Sequence, residues 1–274
     1  MKTILVPTDF SDISENAAHY AAGLARLSNA RLILLHTYSL MAPLTEAPVS
    51  DVQMEEVGRI NEKFLRIFDA KLKSVYTDIE TELRTSIGFM VEEVLSVAEE
   101  ENVDLIVMGK AGPGKPYLNT NILSIIRQTQ RTVLAIPENV KYKAPEKIAL
   151  ACDYSSEVRY EVIQRFKDFA KLFTAKVLVF DVLKKSEVLT VEKAMVEENL
   201  AESISDMDYA LYYPSGNNVV NEIDAFIHEN KVDILCMIPH KYNFLSGLFH
   251  NSSTKQITLK ADIPLLIVHE EERQ

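Results

Sequence analysis

The residues with the clearest chemical possibilities lie between Asp104 and Pro137. Leu105 to Met108 form a short apolar run of the kind that makes a buried strand. Gly109, Gly112 and Gly114 follow, with Lys110 and Lys115 among them. Glycine permits positive φ and lets a ligand come close to the backbone. Asn119 or Thr120 is placed to cap a short helix carrying Ile122, Leu123 and Ile126, and Val133 to Ile136 read as the next strand. Strand, glycine loop and helix N-terminus together hold anions, because amide N–H groups converge and the helix dipole favours negative charge. The expected chemistry is phosphate binding. The bland alternative is a glycine-rich turn that binds nothing.

Gly109 to Lys115 also matches the first seven positions of a P-loop, G-x-x-x-x-G-K. The eighth should carry the hydroxyl that binds Mg²⁺, and here it is Pro116. That departure, with a helix that starts late, argues against a P-loop. Early in the chain, Asp9 ends the apolar opening. A carboxylate there can accept two ribose hydroxyl protons, or can serve only as a turn or helix-start acid. His240, His250 and His269 are spread over the last part of the chain with no tight ligand spacing, so no metal site is assigned. His36 and His19 read as packing or surface residues. No Ser-His-Asp order or paired carboxylates stand out, so no catalytic residue is assigned. Weak ATP hydrolysis is open, without an identifiable base.

Composition excludes several classes. Lys and Arg number 29 against 40 Asp and Glu, giving a net charge of −11 over 274 residues. Such a chain is a poor binder of nucleic acid or of an anionic membrane surface. The two cysteines, Cys152 and Cys236, sit in apolar runs and offer no disulfide framework. No run approaches transmembrane length, and the opening apolar run is too short for a signal peptide; a cytoplasmic location is expected.

The elements that must position these residues alternate. Ile4 to Val6 read as a strand, and Asp12 with Glu15 as a capping box for an alanine-rich helix reaching about Asn29. Leu32 to His36 give a second strand. Pro43 and Pro48 mark an irregular loop, and Asp51 starts a long helix bearing Val57, Ile60, Phe64, Phe68, Leu72 and Val75. Ile79 to Thr85 form a third strand, and Val91, Val94, Leu95 and Ala98 one face of the next helix. Alternation of this kind implies a parallel sheet with helices on both faces. Glu138 to Glu146 is polar, carries Pro145 and reads as a linker.

After it the pattern starts again. Ile4-Leu5-Val6-Pro7-Thr8-Asp9-Phe10-Ser11 aligns with Ile148-Ala149-Leu150-Ala151-Cys152-Asp153-Tyr154-Ser155, and Val103 to Met108 with Val232 to Met237. Asn119-Thr120 aligns with Asn251-Ser252, and Val133 to Ile136 with Leu265 to Val268. The order is kept, so the chain reads as a tandem duplication whose period is a whole domain. The expected units are residues 1–138, a linker 139–146, and 147–274. The copies differ at the glycine loop: Ile238-Pro239-His240-Lys241 stands where the first copy has Gly109-Lys110-Ala111-Gly112. Ile238 adds a side chain and Pro239 removes a backbone donor.

The Val6-Pro7-Thr8-Asp9-Phe10-Ser11 opening and the Gly109-Lys110-Ala111-Gly112 loop resemble the universal stress protein family, and the resemblance covers nearly the whole chain as a tandem member. ATP-binding members carry Gly-x₂-Gly, nine residues, then Gly-Ser or Gly-Thr. Here the second part is replaced by Asn119-Thr120 after a shortened loop. The resemblance implies two doubly wound, parallel, five-stranded α/β sheets of order 3-2-1-4-5, paired along their fifth strands as an internal pseudo-dimer. It implies ATP or a related adenine nucleotide as ligand, Mg²⁺ as a possible companion, and a regulatory role with an unnamed protein partner; further homodimerisation is open. By the same resemblance the ligand would meet Pro7, Thr8, Asp9, Thr37, Met108, Gly109, Gly112, Asn119, Thr120 and Asn121, with Asp153 and Ser252 as weaker counterparts. The alternative is an interaction module whose sites have decayed, or whose second loop takes another ligand.

Overall fold

The computed structural model describes residues 1–39, 51–112, 119–153, 159–183, 190–239 and 253–269. The first half runs β1 (Thr3–Pro7), α1 (Asp12–Ser28), β2 (Arg31–Tyr38), α2 (Asp51–Lys73), β3 (Thr81–Ile87), α3 (Met90–Glu100), β4 (Leu105–Lys110), α4 (Thr120–Gln128) and β5 (Thr132–Pro137). The second half repeats it with β6 (Lys147–Ala151), α5 (Tyr160–Ala170), β7 (Lys176–Phe180), α6 (Val191–Ser203), β8 (Tyr209–Tyr212), α7 (Val219–Asn230), β9 (Ile234–Met237), α8 (Ser253–Lys260) and β10 (Leu265–Ile267). Strand order is β3-β2-β1-β4-β5-β10-β9-β6-β7-β8. Each half therefore has the expected 3-2-1-4-5 order, and the two sheets merge into one.

Within each half the strands are parallel; at the junction β5 and β10 are antiparallel, with Ala135, Leu134 and Val133 opposite Leu265, Leu266 and Ile267. All six residues of β5 and all three of β10 are buried. An apolar edge of this kind cannot face water with its backbone unpaired. The antiparallel junction also sends the carboxyl ends of β4 and β9 to opposite edges of the sheet.

Small residues set the helix–sheet spacing. Ala17, Ala18, Ala21 and Ala22 of α1 are fully buried, so the helix lies close on β1 and β4. The start of α1 departs from the expected capping box. Ser11, with extended backbone, accepts from Ser14 N, and Asp12 is already the first helical residue. Glu15 is drawn away instead to Lys71, 2.6 Å from its Oε1.

The two halves share their fastenings as well as their topology. Asp104 Oδ2 accepts from Lys2 N at 2.6 Å and Thr3 N at 3.0 Å; Asp233 Oδ2 accepts from Glu146 N at 2.8 Å and Lys147 N at 3.0 Å. The aspartate before β4, and again before β9, thus pins the entry of the neighbouring first strand. The polar stretch after β5 is clamped rather than loose. Asn16 of α1 donates to Pro137 O and Val140 O, and Tyr142 lies over Gly23, where a Cβ would come within 2.4 Å of its ring. Cys152 and Cys236 are buried, as expected, and burial pushes both thiols up. No helix among the described residues is long and apolar enough to cross a membrane.

The junction gives a stability test. Leu134 and Leu266 face each other fully buried. Leu134→Ala should lower stability by about 2–5 kcal/mol in urea denaturation, the cost of a cavity in a well-packed core.

Candidate functional site

Strand pairing places the expected residues side by side. Pro7 of β1 lies opposite Leu35 of β2, and Leu5 opposite Ile106 of β4. The chain positions just beyond, Thr8 and Asp9, Thr37, and Gly109, are therefore neighbours at the carboxyl ends of β1, β2 and β4. The strand order reverses there, where open α/β sheets bind ligands.

The turn after β1 is tightly built. Thr8 N donates to Leu35 O at 2.8 Å, and Thr8 Oγ1 accepts from Phe10 N at 3.1 Å. Phe10 takes a left-handed backbone, φ 63°, which is costly for a bulky residue. Its ring is held by His36 at 4.3 Å, Phe68 at 5.8 Å and Phe64 at 6.2 Å. His36 Nδ1 donates to Thr8 O at 2.8 Å, while Nε2 lies 3.1 Å from Asn61 Oδ1 on α2. His36 is thus a strut that ties the turn to α2. Nothing along the chain points to this beyond the residue's place late in a strand.

This turn leaves Asp9 exposed, with Oδ1 accepting from Ser11 Oγ at 2.6 Å and Ser11 N at 3.1 Å. Partial burial pushes its carboxyl up, but hydrogen bonds from Ser11 and Ser14 outweigh that and hold it below the usual carboxylate range. The result is an anionic acceptor fixed in direction at the mouth of the crevice. Pro7, Thr8 and Met108 are buried, and Thr37 is half-buried opposite Ser86 of β3.

On the β4 side each residue of the loop's stem has a distinct task. A Cβ on Gly109 would lie 2.5 Å from Ile13 O and 2.6 Å from Ile13 Cγ2, so glycine is required there for α1 to pack, whatever else binds. Lys110 is fully buried and points across the junction, donating from Nζ to Ala261 O. Burial lowers its pKa to about 8 against the opposing pull of Asp262. Asn119, 1% exposed, accepts from Ala111 N at 2.8 Å and donates to Ala111 O at 3.1 Å. It does not cap α4 with its side chain. Instead it closes the loop at its neck, as a strand partner would. Gly112 is half-buried, and among the described residues a Cβ there would meet the end of Glu138, 2.9 Å away. Thr120 and Asn121 are exposed at the first turn of α4, whose buried face is Ile122, Ile125 and Ile126.

Lys115 and Gly114 lie outside the described residues, as do His240, His250, Asn251 and Ser252. His269 is described, and burial, with Arg165 nearby, lowers its pKa to about 4. Among the described residues no group of three His, Cys, Asp or Glu side chains is placed to hold a metal ion. In the second half Asp181 stands at the carboxyl end of β7 and pairs with Lys193 of α6 at 3.3 Å, both side chains nearly buried. That pair takes the place of the first half's His36–Asn61 contact.

Two outcomes follow for protein without ligand. Gly109→Ala should lose about 1–3 kcal/mol through overpacking against the α1 backbone, whereas Gly112→Ala should stay within about 0.5 kcal/mol, both measured by urea denaturation. Lys110 gives a pH signature. Its pKa is depressed in the folded chain, so the unfolded state binds the extra proton between about pH 8 and 10.5. The penalty is full below pH 8 and fades as pH rises through that window. The stability difference between wild type and Lys110→Met should therefore shift in favour of wild type from pH 7 to pH 9.5.

Comparison with known proteins agrees with this architecture. The profile of the universal stress protein family matches residues 1–137. A universal stress protein of Methanocaldococcus jannaschii is 28% identical over 158 residues, covering 49% of this chain and 94% of the relative. A universal stress protein from Archaeoglobus fulgidus superposes with a TM-score of 0.79 at 17% identity, over 97% of this chain and 98% of its own. A functionally unknown protein from Pseudomonas aeruginosa PAO1 does so with a TM-score of 0.63 at 13% identity, over 98% and 92% of the two chains. With the fold shared across both halves and the family's profile covering the first, the chain belongs to the universal stress protein family.

Proposed function

We propose that this chain is a tandem universal stress protein, with units at residues 1–138 and 147–274, that binds ATP or a related adenine nucleotide in its first half. Its role is regulatory, in the stress response of the cytoplasm, with the second half as structural partner. The observation that carries this reading is the exposed, ionised Asp9, fixed by Ser11 beside the Gly109–Gly112 stem where strand order reverses. The carboxylate would take the ribose hydroxyls, the strand ends at Thr37 and Met108 the base, and the loop amides with the α4 N-terminus around Thr120 and Asn121 the phosphates. Mg²⁺ would accompany the phosphates. Residues of the second half support no equivalent cradle, since Ile238 and Pro239 replace Gly109 and Lys110.

One observation favours a second reading. The Asn119 side chain, at the position of the family's Gly-Ser pair, is spent on Ala111. A loop closed in this way suits an interaction module that has lost its nucleotide and recognises a protein.

The test begins with mass spectrometry of small molecules released by denaturing freshly purified protein, followed by calorimetric titration of stripped protein with ATP. Bound adenine nucleotide, and an affinity lowered at least tenfold by Asp9→Asn, are expected. Asparagine keeps an acceptor for Ser11 while removing the charge. Stripped wild type that takes up no ATP at millimolar concentration sinks the nucleotide reading and leaves the interaction module.

A further inference from the structure

Lys110 carries an inference beyond ligand binding. It sits between Gly109 and Gly112, in the stem of the first half's loop, yet its ammonium serves the other half. Its acceptor, Ala261 O, lies at the carboxyl end of α8, where Ala261 N closes the last turn on Ile257 O at 2.8 Å. Terminal carbonyls of a helix lack intrahelical donors and carry the negative end of the dipole, so a cation there caps the helix. Lys110 is therefore the C-terminal cap of a helix from the opposite half, and it is fully buried.

The path of α8 gives this contact its meaning. The antiparallel β5–β10 junction puts the carboxyl ends of β4 and β9 at opposite edges of the sheet. α8 follows β9 and precedes β10, so it runs from the second half's ligand edge to the first half's. Its eight residues form a rod about 12 Å long. One end emerges from the segment that follows β9, and the other is held by the first half's glycine loop. Beyond Ala261, Asp262 faces His228 of α7 at 3.3 Å, which seats this end of the helix against its own half.

The arrangement is not mirrored. At the other crossing, the α4 end is met by Arg165 of α5, whose guanidinium donates to Gln130 O at 3.1 Å and His269 O at 3.2 Å. The position aligned with Lys110 is Pro239, which carries no ammonium. The first loop is tied to the opposite helix by its own lysine, whereas at the other crossing the cation comes from α5.

We propose that Lys110 is a coupling residue, which transmits ligand occupancy of the first half's glycine loop to α8 and so to the ligand edge of the second half. The proposal rests on nucleotide binding at the first loop. Phosphate drawing in the loop amides would reposition the Gly109–Gly112 stem, which Lys110 anchors to the end of α8. Because Lys110 is enclosed, its head group cannot adjust by turning into water; the helix end must follow it or the bond must break.

Hydrogen exchange of the full chain, with and without saturating ATP, reads this directly, with calorimetry of the same samples reporting binding. In wild type, ATP should change exchange at amides 253–262 at least threefold while leaving α7 unchanged. Lys110→Met should still bind ATP within about threefold and lose the response at 253–262. If wild type binds ATP and these amides do not respond, Lys110 is only a clip between the halves and the coupling is overturned. A response that persists in Lys110→Met overturns it as well. Calorimetry without any ATP heat overturns the nucleotide reading itself, and the coupling with it. Should the variant fail to fold, the wild-type exchange alone decides.

Discussion

The pairing of β5 with β10 is the constraint on which the rest of the molecule depends. A strand as apolar as Thr132–Pro137, buried along its whole length, has no stable place at a solvent edge. Within one five-stranded unit it would be such an edge. Joining the fifth strands of both halves removes the two most apolar edges together and leaves β3 and β8 as the ends of the sheet. Those end strands are only half-buried, and β3 carries Glu82 and Arg84 in ion pairs with α3 and β2 rather than an apolar face. Charge on an edge strand opposes further strand addition, so the pairing that closes the molecule also marks where it stops.

The same junction explains why two similar halves need not do similar work. Antiparallel pairing directs their ligand edges away from each other, and each edge is then free to keep different residues. Fastenings far from those edges, such as Asp104 and Asp233 on the first strands, are preserved almost atom for atom. At the edges the chemistry has changed: a His36–Asn61 contact stands in one half and a nearly buried Asp181–Lys193 pair in the other. A buried ion pair needs both members, since either alone would be an uncompensated charge. It therefore fixes the second crevice in a way that the first half's contact does not.

Much of this was legible in the sequence because it follows from short-range pattern. Apolar runs of strand length, alanines on one helix face and the repeated Val-Asp before a strand are local signals, and they gave the alternating elements and the two copies, while the strand order followed from the family resemblance. Side-chain tasks were harder to read because they depend on partners far along the chain. Lys110 was one lysine among the loop glycines, and its partner lies 151 residues away. Asn119 looked like a cap or a phosphate ligand, and it closes the loop on Ala111 instead. His36 looked like a packing residue, and only the approach of α2 shows it bracing Thr8. The cap of α1 was misplaced by one residue because Ser11 and Asp12 are both good N-cap types, and backbone conformation alone chooses between them.

Gly109 shows why a glycine signature is an ambiguous sign of a ligand. Phosphate loops need glycine so that the backbone can come close to the anion, and helices that pack tightly on a strand need it so that another backbone can come close instead. At Gly109 the second requirement is met by the backbone and side chain of Ile13. At Gly112 the neighbour among the described residues is the carboxylate end of the Glu138 side chain rather than another backbone. The motif therefore divides into a glycine that the fold itself requires and one that it does not. The case for a ligand gains weight from Gly112 and Asp9, because neither the sheet nor α1 accounts for glycine at the first or for an exposed carboxylate held in its ionised form at the second.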